Sequence, residues 1–242
     1  MGNNTHQFLI GFDRYVQLDW CAAALDVAVG IKTVEQAKDD IATVLTGIDS
    51  RRKTFDVLKR LWISPSPEYS DFVNRGIALF KQQGPRSVAP LSWGCAMVTC
   101  PFFGHTSEIT GRLIAMQGDC TIKEIQRRMA EIYGDREGVS RAVSRVLQSQ
   151  ESWGVLERIE NGKRLIRKKA ISVSDESTVL WLIEAALRFH GKTLPLATLQ
   201  SLAVMYPFLL DQSLAYIVSK STMLEFRSEG PSHQFVALRE IS

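Results

Sequence analysis

Arg141 and Arg145 stand four residues apart, with Ser140, Ser144 and Gln148 interleaved at the same period. Four residues make slightly more than one α-helical turn, so these five side chains share one face of a helix. Val139, Ala142, Val143, Val146 and Leu147 fall on the opposite face, an apolar stripe suited to burial. A helix held to a core by one face can offer the other to a major groove about 12 Å wide. Arginine pairs in bidentate fashion with guanine edges, while serine and glutamine donate to bases or phosphates. Upstream, Lys123, Arg127 and Arg128 are placed to clamp a phosphate. Downstream, Lys163, Arg164 and Arg167, followed by Lys168 and Lys169, offer cations to the neighbouring backbone or minor groove.

No comparable pattern points to catalysis. The sequence holds no nucleophile elbow, phosphate loop, HExxH or paired-carboxylate motif, so no enzymatic activity is expected. Cys21, Cys95, Cys100 and Cys120 form no CxxC pair and do not group with the four histidines, so neither a metal nor a cofactor is expected. Cys95 and Cys100 lie in an apolar run and read as core; His105 and His190 sit near helix ends and read as caps. Scattered thiols fit a reducing compartment. Residues 1–7 are polar, unlike a secretory signal. The apolar stretches 20–29 and 91–103 are interrupted by Asp26 and Pro101, so no membrane span and a cytoplasmic location are expected.

Charge follows the same map. The 242-residue chain has a formal charge of only +3, yet residues 121–169 hold twelve Lys/Arg against seven Asp/Glu. Positive charge is therefore gathered in one segment, as a polyanion footprint requires.

The elements that must position these side chains are mostly helical. In residues 1–103 four amphipathic helices are expected, at about 15–29, 33–47, 50–64 and 69–83. Thr33 and Gln36 form a capping box at the start of the second, and Gly47 closes it. The third opens on Ser50-Arg51-Arg52-Lys53. The apolar run 91–103 is expected to be buried, and a new unit to begin at Gly104. It carries a helix through Ile109, Leu113, Ile114 and Met116, ended by Gly118, and a second from the capping box of Thr121 and Glu124, with a stripe at Ile122, Ile125, Met129 and Ile132. After Gly134-Asp135 comes the helix of Arg141, at about 137–150, and then two strands about Asn161-Gly162, a strong hairpin signal.

This order of elements over residues 104–169 resembles the winged helix-turn-helix superfamily of DNA-binding type. The resemblance implies a recognition helix at 137–150 and a wing at 158–167. The front end, with its basic helix at Ser50-Arg51-Arg52-Lys53, is more loosely similar to small helical accessory proteins of BREX-type phage-defence systems.

The order then repeats without sequence identity. Helices are expected from about 174 to 191, at 194–203 and at 209–221, and strands at 223–227 and 234–238 about a turn at 228–232. Gly118 aligns with Gly191, and Val155 with Leu224. Residues 192–242 carry four Lys/Arg and four Asp/Glu, too neutral a surface to hold phosphates. This copy is expected to pack on the rest of the protein or on a protein partner; a partner would use Tyr206, Phe208 and Tyr216, whose alternative reading is core.

The expected fold is thus mainly α: an N-terminal helical bundle (1–103), a winged unit (104–170) and a second winged-helix-like unit (171–242). The expected function is duplex DNA binding, by a transcription regulator or a DNA-engaging antiviral defence accessory, with a homodimer as a further possibility because such proteins read two half-sites. A protein-interaction scaffold and an RNA-binding protein are the competing readings.

Overall fold

The capping signals mark where helices begin. In the computed structural model, which describes residues 10–228 and 234–239, Thr33 accepts from the amide of Gln36 and Gln36 returns the bond to the Thr33 amide. Thr121 and Glu124 do the same. Each pair satisfies amides that the first turn leaves without partners. The bond from Thr121 also lowers the pKa of the Glu124 carboxyl.

The chain is mainly helical with small sheets. The front end comprises α1 (Leu18–Ala28), α2 (Val34–Ala42), α3 (Ile48–Leu58), α4 (Ser70–Gln83) and α5 (Val88–Thr99). Helix α3 runs on through a π-helical turn, Lys59–Ile63, before the prolines end it. Three boundaries differ from expectation. Helix α1 starts at Leu18 and not near residue 15, which leaves Tyr15 and Val16 in the segment before it. Helix α2 ends at Ala42, and Gly47 is the N-cap of α3 and not the end of α2. The expected unit boundary at 103/104 falls inside α6 (Pro101–Gln117), because Pro101 supplies a favourable first helical position.

Beyond α6 come β1 (Asp119–Cys120), α7 (Ile122–Tyr133), α8 (Glu137–Ser152), β2 (Leu156–Ile159) and β3 (Arg164–Arg167). The three strands form one antiparallel sheet in the order β1-β3-β2, with Leu165 opposite Cys120 and Arg158. Between β2 and β3, Glu160, Asn161 and Gly162 all take positive φ. Asn and Gly tolerate that conformation best, which is why the pair marks the turn. On α7 the expected stripe shifts at its end: Ile132 is 40% exposed, and Tyr133 takes the buried place.

The last third holds β4 (Ile171–Val173), α9 (Glu176–His190), β5 (Leu194–Pro195), β6 (Phe208–Leu210), α10 (Leu214–Ser219), β7 (Leu224–Ser228) and β8 (Gln234–Leu238). Helix α9 and the strand pair β7–β8 agree with expectation; most of the turn joining that pair lies outside the described residues. The two helices expected between them do not form as such. Residues 194–203 begin as a strand at Leu194, which precedes Pro195, and continue as 3₁₀ turns, Leu196–Ser201 and Ala203–Met205. The residue before proline is driven out of the α region. Phe208–Leu210 pairs in parallel with β4, which takes those residues from α10 and leaves it six residues long.

One hydrophobic core runs through all of these elements. Trp93 of α5 is fully buried within it. Its ring meets those of Phe103, Trp153, Tyr206 and Phe208, and its Nε1 donates to the Val204 carbonyl at 2.9 Å. Trp181 of α9 stacks on Phe72 of α4 with ring centroids 4.3 Å apart, and donates to the Phe72 carbonyl. Gly76 and Gly94 leave room for that indole; a Cβ on Gly94 would lie 2.4 Å from it.

Candidate nucleic-acid interface

Helix α8 is anchored along one side. Val139, Ala142, Val143, Val146 and Leu147 are each at most 1% exposed. Burying such a stripe fixes the rotation of the helix about its axis, and with it the direction of the opposite face. Arg141 and Arg145 lie on that open face, exposed. Arg141 pairs with Glu137 at 3.3 Å and Arg145 donates to Gln148 Oε1 at 2.9 Å. Both links are local to α8, and exposed pairs of this kind are weak. A phosphate or a base edge can replace them without cost to the fold.

Hydrogen bonds at three places hold α8 in position. Gln126 of α7 donates to the Ser140 carbonyl at 2.9 Å and to Ser144 Oγ at 3.2 Å. Ser144 also donates back to the Ser140 carbonyl, so its hydroxyl belongs to the α7–α8 junction. At the far end of α8, the Val16 amide donates to Ser149 Oγ, and Trp153 Nε1 donates to the Val16 carbonyl, each at 2.9 Å. Phe12 packs on Phe103 and Trp153 beside them. The segment 10–17 therefore braces the C-terminal end of α8 and leaves the half with Arg141 and Arg145 open. Lastly, Gln150 donates to Ser107 Oγ of α6 and accepts from the Tyr206 hydroxyl, both at 2.9 Å.

Around α8 the remaining cations divide by their bonding. On α7, Lys123, Arg127 and Arg128 are exposed, and Arg127 pairs with Glu131 at 3.0 Å. Arg127 and Ser140 line one shallow depression between α7 and α8. Lys123, Arg128 and Lys163 at the hairpin turn, together with Lys168 and Lys169 after it, have no ion-pair partner among the described residues. Arg164 instead points at Asp119 of β1, with Nε 2.8 Å from Oδ2. That bond raises the pKa of the guanidinium and joins the hairpin to β1. Arg167 donates to the Tyr206 carbonyl at 3.0 Å. Arg158 binds Glu151 at 2.8 Å and fixes the root of the hairpin to α8.

Of the eleven side chains singled out from sequence, eight are thus open to solvent or held only within their own helix: Lys123, Arg127, Arg128, Ser140, Arg141, Arg145, Gln148 and Lys163. Ser144, Arg164 and Arg167 hold elements together. Spacing alone does not separate the two groups, because the partners of the second group, Gln126, Asp119 and Tyr206, come from other elements. Sequence reasoning misses the brace formed by Phe12 and Val16; two apolar residues in a short segment before the first helix are its only trace. Compared with known protein families, with curated proteins and with solved structures, the chain matches none.

Proposed function

We propose that residues 101–167 act as a winged helix-turn-helix that binds duplex DNA, with α8 in the major groove and the β2–β3 hairpin as the wing. The observation that carries this reading is the division of α8: one face is wholly buried and the other presents Arg141 and Arg145 with only exchangeable partners. The element order α6, β1, α7, α8, β2, β3 and the exposed cations Lys123, Arg128 and Lys163 support it. On this reading the protein is a regulator, or the DNA-engaging accessory of a bacterial phage-defence system. The last third of the chain packs on the reader and carries a protein partner; of the side chains expected to serve one, Tyr206 and Phe208 are buried in the core, which leaves half-exposed Tyr216, together with half-exposed Leu209.

Binding of the full chain to a labelled random-sequence duplex, and to RNA of the same sequence, over a range of salt tests the proposal. Neutralising several phosphates predicts a fall in log K with log salt of about 0.9 per phosphate. Replacing Arg141 and Arg145 by Ala should weaken duplex binding, by about 1–3 kcal/mol for each arginine that pairs with a base edge. Arg164→Ala should change affinity by less than about threefold, since Arg164 is engaged by Asp119. Affinity indifferent to salt and to the paired substitution would sink the proposal, and tighter binding to RNA would replace it with the RNA reading.

A further inference from the structure

The basic opening of α3 has no part in the DNA reading. It lies instead on a groove of about 440 Å³ formed by α2 and α3. The floor is apolar: Ile41 is 1% exposed and Phe55 8%, with Ala42 between the helices. At the rim Ile48 is 81% exposed, although it is the first residue of a well-formed helix. Val44, in the connection from α2 to α3, is half exposed as well. Such a volume accommodates a few apolar side chains of a ligand.

The rim charge says what kind of ligand. Four cations line the groove (Lys38, Arg51, Arg52 and Lys59) against two carboxylates, Asp39 and Asp56. Arg52 already faces Asp49 and Asp56, at 3.4 and 3.7 Å, so Asp56 is neutralised from within. Lys38 rests its ammonium 5.3 Å from the Phe55 ring centre, at the edge of the apolar floor. Lys59 has no ion-pair partner among the described residues, and Arg51 uses Nε on the Leu45 carbonyl while its other nitrogens form no ion pair there. The groove therefore joins an apolar floor to a net positive rim.

We propose that this groove binds an acidic amphipathic helix of a protein partner. Apolar side chains at i and i+4 of that helix enter over Ile41 and Phe55 and cover Ile48; carboxylates beside them meet Lys38, Arg51 and Lys59. This is the helix-in-groove mode, in which the apolar face gives affinity and flanking charge gives register. A nucleic-acid backbone satisfies only half of it. Phosphates would pair with the rim but bring nothing apolar to the floor or to Ile48.

The test is a displayed library of amphipathic helices, with glutamates fixed on one face and apolar residues varied on the other, selected against the full chain. A charge-reversed library with lysines in place of the glutamates runs beside it. The acidic library should yield binders with Kd on the order of 1–10 μM, and the basic library none. Ile48→Asp, an exposed site whose change spares the fold, should weaken the selected peptide at least about tenfold. Lys59→Glu should weaken it several-fold and reduce its salt dependence. The Arg141→Ala, Arg145→Ala protein should bind the peptide as the unaltered chain does, which separates this groove from the DNA reading. Failure of the acidic library to enrich, equal enrichment of the basic one, or indifference to Ile48→Asp would each overturn the proposal. So would displacement of the peptide by duplex DNA from the Arg141→Ala, Arg145→Ala protein, which would make the groove a nucleic-acid surface.

Discussion

His105 shows how one side chain couples the packing of α6 and α7 to pH. Its Nδ1 lies 2.8 Å from the Tyr133 hydroxyl, a link from α6 to α7, and its ring meets Phe189 of α9 edge-on. Burial lowers the pKa of His105 from the ordinary 6.5, and Glu108 only partly opposes this. Burial also lowers His190, the last residue of α9. The sign follows from linkage. Above the unfolded value of 6.5 neither state binds the proton and stability is full. As pH falls below it, the unfolded chain takes up protons that the folded chain resists, and stability declines until the lowered folded value is passed. The urea midpoint should therefore drop between about pH 7 and about pH 5. A His105→Gln, His190→Gln protein should show a shallower drop over that range, and an unchanged slope would assign the effect to other groups. The thiols behave oppositely. Burial pushes Cys21 up to about 12, and Cys120 likewise, so both remain protonated and inert over the same range.

At the scale of elements, what is legible in the sequence is what neighbours decide. The capping boxes at Thr33 and Thr121, the left-handed turn at Asn161-Gly162 and the stripe of α8 depend on residues within a few positions of each other, and all are present. What distant partners decide is not legible. Phe208–Leu210 is a strand because β4 lies alongside it, and Arg164 is a tie because Asp119 lies across the sheet. The clearest case is the packing of α6 against the 3₁₀ turn Ala203–Met205. A Cβ on Gly111 would stand 2.1 Å from the Ala203 carbonyl oxygen and 3.0 Å from the Tyr206 Cβ. A backbone atom cannot swing aside as a side chain can. Gly111→Ala would improve the helix propensity of α6 by about 1 kcal/mol. The overpacking should outweigh that gain, with a net loss on the order of 1–3 kcal/mol in urea unfolding. A neutral or stabilising result would mean that the turn can withdraw from α6 at little cost.

For the molecule as a whole, the question is whether three expected units behave as three. The core argues for one. Trp93 of α5 touches side chains from α6, from the end of α8 and from the segment before β6, so no cut between the units leaves its surroundings intact. Trp181 of α9 is seated between Phe72, Gly76 and Gly94 of the front end. Beside it Glu184, 1% exposed, binds Arg75 of α4 and Arg188 of its own helix. Removing α9 would uncover the α4–α5 face and leave Arg75 without its buried carboxylate. Cooperative unfolding requires that elements share such contacts and do not merely adjoin. Urea unfolding followed by far-ultraviolet circular dichroism and by tryptophan fluorescence should therefore give coincident single transitions. A chain ending at Ala170 should fail to reach a native fold, and with it lose duplex binding although every proposed contact residue remains. If residues 1–170 instead fold and bind duplex with the affinity of the full chain, the last third is a separable module and the shared core does not set the geometry of α8 and the β2–β3 hairpin.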